Sequence, residues 1–284
     1  MQYLLPSAVF LLMLSVGMSL EPTKVVANWR RLTWFTWLCL TIATFLIPPA
    51  LALLLAHIFG LTLGATAGLF MVGATPGAPL LTRNMARRGF DMHMAASYQL
   101  WAALMVPVMI PLVVAAAGKI YGRDIWIPPA VLLKQIALKQ FVPLSVGIVI
   151  AWLAPKLTQR SQPLLNTLGN ILLTVMIAAA LFKMEPALKG TTPLIPVSAL
   201  LLAAGSVAAI LPFRFTDPMV KQTFAICNAN RHIGLALLLT GQYVHAQNGL
   251  PAVACYALLA PLMMFAYVRL WPARSGAART ASAN

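Results

Sequence analysis

The chain has 284 residues, of which 61% are hydrophobic and only 9% are charged, and its mean hydropathy is +0.85. Soluble domains carry about 25% charged residues, so this composition excludes a water-soluble globular domain and predicts an all-α polytopic membrane protein. The net charge of +15 would suggest nucleic-acid binding in a soluble chain. Here the basic residues fall mostly in short loops, where they orient membrane helices, so the predicted partner is the lipid bilayer and not nucleic acid.

About 20 apolar residues let one helix cross a bilayer, and on this measure the sequence holds nine predicted spans. The first is expected to be retained and not cleaved as a signal peptide, because it lacks a preceding basic region and a convincing cleavage site. The second contains Pro48-Pro49, which predicts a kink. The spans lie near 2–20, 33–58, 61–82, 92–117, 128–154, 164–183, 193–212, 219–245 and 250–270.

Basic residues are more numerous in the loops that follow spans one, three, five and seven, and in the C-terminal tail, than in the remaining loops. By the positive-inside rule, this asymmetry predicts an outside N-terminus and a cytoplasmic C-terminus in a plasma or inner membrane. The predicted cytoplasmic residues are Lys24, Arg30, Arg31, Arg87, Arg88, Lys156, Arg160, Arg214, Arg269, Arg274 and Arg279, against Lys119, Arg123, Lys183 and Lys189 on the opposite side.

Two spans are interrupted by residues that cannot continue one apolar helix. The third contains GATPGAPL at 73–80, and its prolines remove backbone donors and clash with the preceding turn. The eighth contains ICNANRHIG at 226–234, where an arginine near the bilayer centre costs at least about 2.5–3.5 kcal/mol. The trios of spans two to four and seven to nine, each broken in its middle member, start from opposite sides of the membrane. This arrangement indicates the inverted repeats of a secondary transporter, with its site at the breaks.

Arg231 is the residue to which we assign the main role in binding substrate. All five acidic residues lie at or beyond predicted helix ends, so no carboxylate is available at mid-depth to neutralise it. A cation in the first turn of a restarting helix is also disfavoured by the helix dipole. An anionic ligand would relieve both costs, although Arg231 could equally cap carbonyl groups at the other break. The further predicted lining residues are Asn230, Asn228, His232, Thr75, Gly77, Ala78, Thr82 and Tyr98.

Three of these polar residues have simpler alternative roles. Asn228 and Asn230 are more simply explained as hydrogen-bond partners for backbone groups at the break. His232 is either a proton carrier or, as we favour, a neutral residue hydrogen-bonded between helices. The cysteines and histidines show no metal-ligand spacing, so no metal site and no cofactor are predicted.

Four motifs resemble those of the bile acid:sodium symporters, within a wider superfamily that also holds arsenite transporters. They are LSVGMSL at 14–20, IPPALALLLA at 47–56, GATPGAPL at 73–80 and GLALLL at 234–239. The resemblance covers nearly the whole chain, and it implies a core domain with two crossed, broken helices beside a smaller panel domain. On that template, residues 1–32 and 126–190 form the panel, 33–125 and 191–272 form the core, and 273–284 form a disordered cytoplasmic tail.

The chain departs from this family at the positions that the resemblance assigns to sodium ligands. Leucine, alanine and methionine side chains offer no oxygen, and a thiol is a soft ligand, so sodium coupling is not carried over. The positions are Leu81 and Thr82 after the first break, Cys227 and Arg231 at the second break, Ala43 in the second span, and Met94 and Tyr98 in the fourth.

The leading hypothesis is a secondary transporter that moves a small or amphipathic organic anion by alternating access, without sodium coupling. One alternative is a sodium symporter that holds its ion with backbone carbonyls of the unwound segments. An alternative of another class is a non-transporting membrane receptor or scaffold. No enzymatic activity is predicted, because the usual serine, zinc and paired-carboxylate motifs are missing. The oligomeric state and the direction of transport are left open.

Overall fold

The computed structural model describes residues 4–20, 23, 27, 29–30, 32–77, 90–121, 128–188, 193–213, 217–243 and 249–271. Within these ranges the regular secondary structure is entirely helical, which agrees with the predicted all-α class. The helices are α1 Leu4–Ser19, α2 Trp34–Phe59, α3 Leu63–Ala74, α4 Met92–Tyr121, α5 129–153, α6 Pro155–Leu188, α7 Leu194–Ala208, α8 Pro218–Ala229, α9 Ile233–Tyr243 and α10 Gly249–Leu270.

The lengths of these helices confirm a polytopic membrane protein. In the part of the chain that the structure describes, five helices are long and apolar enough to cross a membrane. The shorter apolar helices include α3, which ends at the first predicted break, and α9, which begins after the second. The five long segments are Trp34–Phe59, His93–Lys119, Ala130–Leu153, Pro155–Ala179 and Gly249–Leu270.

The predicted start of the sixth span at residue 164 is wrong. Helix α6 already begins at Pro155, directly after Ala154 at the end of α5. Proline suits the first turn of a helix, because its missing N–H has no helical partner there. Lys156 and Arg160 therefore lie in exposed helical turns and not in a loop. Hydropathy locates only the apolar part of a helix, so a polar extension into water is missed.

Helix α2 contains a π-turn, Ile42–Leu46, immediately before the Pro48-Pro49 pair that predicted a kink. Proline has no N–H, so this pair supplies no backbone donors to the carbonyls four and five residues earlier. The carbonyl groups of Ala43 and Thr44 are consequently available to partners outside the helix. Such π-turns are frequent at functional sites.

Helix α1 packs along α5 and α6, while α10 packs against α3 and α7. Helices α1 and α5 come into backbone contact at Gly17 and Gly147. A Cβ atom added to Gly17 would lie 2.1 Å from the Leu144 carbonyl oxygen, and one added to Gly147 would lie 2.3 Å from the Leu14 carbonyl oxygen. These two positions therefore accept only glycine at this helix spacing. The division into panel and core domains stays a prediction.

Gly17→Ala is expected to lower the melting temperature by several degrees. Its methyl group would force α1 and α5 apart, and overpacking of this kind costs about 1–3 kcal/mol. Gly241→Ala is the matched control, because its Cβ would make an ordinary contact 3.5 Å from Leu250 and alanine favours a helix over glycine. Thermal unfolding in one detergent compares the variants. Equal melting temperatures would contradict the close backbone contact.

Candidate functional site

The two helix breaks lie against each other. Helix α3 ends at Ala74 and α8 ends at Ala229, and the chain beyond each forms an antiparallel bridge between Pro76 and Arg231. The backbone N–H of His232 donates to the Thr75 carbonyl oxygen at 2.8 Å. The predicted breaks near residues 75 and 230 are therefore confirmed, and in the described residues they contact each other.

The first break requires glycine at one position. Gly77 has a φ of +86°, a left-handed conformation that side chains disfavour, and a Cβ there would also lie 3.3 Å from the Ala102 side chain of α4. Thr75 is fully buried, and its hydroxyl donates to the Met71 carbonyl oxygen at 2.8 Å. The predicted site residues Ala78, Leu81 and Thr82 lie outside the described residues.

The side chain of Arg231 is buried at the crossing, with only 1% of its surface exposed. Its Nη1 donates to the Thr44 carbonyl oxygen at 3.0 Å and to the Gly73 carbonyl oxygen at 3.1 Å. Its Nη2 donates to Asn228 Oδ1 at 3.0 Å. Thr44 belongs to the π-turn of α2 and Gly73 to the last turn of α3, so Arg231 caps backbone groups that both irregularities leave free. The capping role, one of the two predicted alternatives, is thus present.

Within the described residues, the oxygen atoms that accept hydrogen bonds from Arg231 belong to neutral groups, two backbone carbonyls and one side-chain amide. Asp91 and Asp217 are instead used as caps: their carboxylates accept backbone N–H groups at the starts of α4 and α8. The guanidinium therefore carries a positive charge that no described carboxylate balances, and its Nε–H has no hydrogen-bond partner among the described residues.

Asn228 holds the guanidinium in place. Its Nδ2 donates to the carbonyl oxygens of Ala43 at 3.0 Å and Ser206 at 2.7 Å. Its Oδ1 accepts from the Tyr98 hydroxyl at 3.2 Å and from Arg231. A side-chain amide has two N–H donors and two acceptor sites on its oxygen, so Asn228 has no capacity left for a ligand. These bonds agree with the simpler prediction, in which Asn228 is a hydrogen-bond partner for backbone groups at the break.

Three residues of this network were not predicted from the sequence. Thr44 contributes its carbonyl, and its hydroxyl lies 3.4 Å from the Tyr98 hydroxyl. Ser206 contributes a carbonyl from α7. Tyr256 of α10 donates to the Ala229 carbonyl oxygen at 2.7 Å and so caps the end of α8. The proline pair was a signal for Thr44, whereas Ser206 and Tyr256 carry no distinguishing pattern in the sequence.

Cys227 and Asn230 are two further positions that the sequence predicted at the second break. Cys227 is a fully buried free thiol in the last turn of α8. Asn230 is partly buried, and its backbone N–H donates to the Ile226 carbonyl oxygen at 3.0 Å as α8 ends. In the described residues, no group of three histidine, cysteine or acidic residues is placed to hold a metal ion.

His232 uses one ring nitrogen to cap α9. Its Nδ1 accepts the backbone N–H of Leu235 at 3.1 Å, so this bonding pattern assigns the proton of the neutral ring to Nε2. The ring is fully buried, and Nε2 has no partner among the described residues. The favoured prediction was a side chain that is hydrogen-bonded between helices. In the structure the side chain of His232 bonds to α9 instead, and its backbone N–H makes the contact to the end of α3.

His232→Asn is expected to keep the fold and His232→Leu is expected to destabilise it. Asparagine is among the best helix N-caps, and replacing a cap by an apolar residue costs about 0.5–2 kcal/mol. Melting temperatures of the two variants in the same detergent measure this difference. A His232→Asn variant as unstable as His232→Leu would show that capping by Nδ1 is not what stabilises α9.

Two crossing helix breaks in a multi-pass helical protein define the architecture of secondary transporters. The chain matches the model of the Sodium Bile acid symporter family over residues 6–188, and it belongs to that family. It is also similar to "Probable sodium/metabolite cotransporter BASS3, chloroplastic" of Arabidopsis thaliana, with 21% identity over 266 residues that cover 92% of this chain. The chain spans 60% of that protein's length. The predicted family and the multi-pass membrane location are confirmed.

Proposed function

We propose that this protein is a secondary transporter that moves a small or amphipathic organic anion by alternating access, without sodium coupling. Its family supports transport rather than catalysis or scaffolding. One observation carries the finer part of the proposal: the guanidinium of Arg231 is buried at the helix crossing among neutral oxygens. We further propose a plasma or inner membrane location, with the N-terminus outside and the C-terminus in the cytoplasm.

The fixed charge of Arg231 favours an anionic substrate. Two unit charges 4 Å apart attract by about 4 kcal/mol at an effective dielectric constant of 20, and the same field repels a cation. Arg231 Nε and His232 Nε2, both at the second break, are buried and have no hydrogen-bond partner among the described residues. We assign these two groups to the anion, and we assign Asn228 and Tyr98 to holding Arg231 in position. Thr75, Gly77, Asn230, Ala78 and Thr82 are proposed to line the same site.

The oxygen atoms at the crossing do not fit a sodium ion. Sodium is a hard cation that needs several oxygen ligands, as other hard cations do. The three oxygens that converge here, from Thr44, Gly73 and Asn228, already accept hydrogen bonds from the Arg231 guanidinium. A second cation at this place would meet both a filled set of acceptors and a like charge. These contacts support a proposal in which the Arg231 guanidinium takes up the oxygens that a bound cation would need.

Uptake by the purified protein in proteoliposomes tests the proposal. A panel of radiolabelled organic anions would be offered with the sodium and proton gradients imposed separately. Uptake of at least one anion without sodium is expected. Uptake that needs sodium would instead favour the alternative in which backbone carbonyls of the unwound segments hold the ion. The name of the Arabidopsis relative states sodium cotransport for that protein. No uptake of any anion under either gradient would favour the receptor alternative.

A further inference from the structure

A groove lies between the first part of α1 and the π-turn of α5, away from the helix crossing. The two helices touch at Gly17 and Gly147 and leave a cavity of about 400 Å³ near their other ends, a size within the range of small-ligand sites. Its lining is formed by Pro6, Ser7, Phe10, Leu11, Leu138 and Lys139.

The groove is open to the surroundings of the protein and mostly apolar. Phe10 is 42% exposed and Leu138 is 55% exposed. Both lie on apolar helices of a multi-pass membrane protein, where exposed apolar side chains are expected to contact lipid. A ligand that reaches the groove from the bilayer must therefore have an apolar part.

Lys139 adds one positive charge to these apolar walls. It lies in the π-turn Ala137–Phe141, beside the first turns of α1. Its ammonium group donates to the amide oxygen of Gln242, at the end of α9, at 3.2 Å. This partner is neutral, so the charge of Lys139 is not balanced by it. A cation beside an apolar groove matches a molecule with an anionic head and a hydrocarbon chain.

We propose that this groove binds an anionic phospholipid of the leaflet in which α1 begins. The phosphate group contacts Lys139, and one acyl chain lies along Phe10, Leu11 and Leu138. The Lys139 stem remains against the apolar walls while its head stays at the level of the lipid head groups. The proposal does not depend on the transported substrate, because the groove is separate from the crossing.

Native mass spectrometry of the full chain, titrated with phosphatidylglycerol or with phosphatidylcholine, tests this site. Phosphatidylglycerol is expected to bind more tightly. Lys139→Gln is expected to weaken its binding about fivefold, the effect of one basic residue near a membrane surface. Lys134→Gln is the control, because Lys134 lies exposed on the same helix and does not line the groove. Leu138→Trp keeps the charge and fills the groove, so it is also expected to weaken binding.

Three results would overturn the proposal. The first is equal binding of both lipids. The second is an equal loss in the Lys139 and Lys134 variants, which would indicate general surface charge. The third is binding of a carboxylate amphiphile at the groove in place of phosphatidylglycerol, which would make the groove a site for the organic anion. If Lys139→Gln does not fold, an unchanged affinity in Leu138→Trp would decide against the site.

Discussion

Arg231→Gln is expected to reduce uptake of the organic anion by at least about a hundredfold, a factor that corresponds to losing most of one charge–charge attraction. Glutamine is shorter than arginine, so its amide nitrogen lies near the position of Nε and leaves the three oxygens without the donors that Nη1 and Nη2 supply. Removing a buried charge that has no carboxylate partner also removes its desolvation cost. This gain offsets part of the lost hydrogen bonds, so the variant is expected to fold, and its melting temperature is measured beside its uptake.

Two further variants separate charge from shape in this experiment. Arg231→Lys keeps the charge but cannot reach all three oxygens with the same planar geometry, so it is expected to retain part of the uptake. Arg269→Gln removes a charge of the same kind from the last turn of α10, where the guanidinium stacks on Phe265 at 5.2 Å. That control is expected to transport like the unmodified protein. Full uptake by Arg231→Gln would mean that the anion is recognised elsewhere.

A third variant, Arg231→Ala, tests the idea that the Arg231 guanidinium takes up oxygens that a bound cation could otherwise use. Without the guanidinium, the carbonyl oxygens of Thr44 and Gly73 and the Asn228 amide oxygen become available to a small cation. Raising the sodium concentration is therefore expected to raise the melting temperature of Arg231→Ala and not that of the unmodified protein. Stabilisation of both proteins by sodium would place a cation site outside this crossing.

Asn228→Ala is expected to give the largest loss of stability among the polar variants. It removes the donors from the carbonyls of Ala43 and Ser206, and it removes the acceptor from the Tyr98 hydroxyl and from Arg231. A buried polar group left without a partner costs about 1–3 kcal/mol. Even with partial relaxation, a total near 3 kcal/mol would lower the melting temperature by about 5 °C in a chain of this size.

Asn230→Ala is the matched control, since it removes the same side chain two residues later from a partly exposed position. It is expected to melt within about 2 °C of the unmodified protein, as for most substitutions away from a buried network. Thermal unfolding of both variants in one detergent makes the comparison. Similar melting temperatures for the two variants would contradict the central role of Asn228.

Composition and local sequence determined the class of the protein and the places where its helices break. A high hydropathy with few charges indicates a membrane protein. Prolines inside an apolar span favour irregular backbone there, and an arginine inside one needs a polar site. These are local properties, so the breaks at Thr75–Gly77 and Asn230–His232 were predictable without any knowledge of tertiary contacts. The polar start of α6 at Pro155 was not, because hydropathy does not detect a helix outside the apolar layer.

Only the tertiary structure decided what the polar side chains bind. Asn228 and Ala43 are 185 residues apart in the chain, and Arg231 and Gly73 are 158 apart. Their partners are backbone carbonyls, which every residue carries, so no residue type in the sequence marks them. The sequence left two roles open for Arg231, and the crossing of α2, α3 and α8 provides the acceptors for one of them. The reason is physical: a hydrogen bond depends on where helix packing brings a free carbonyl, and that position is not encoded in the neighbouring residues alone.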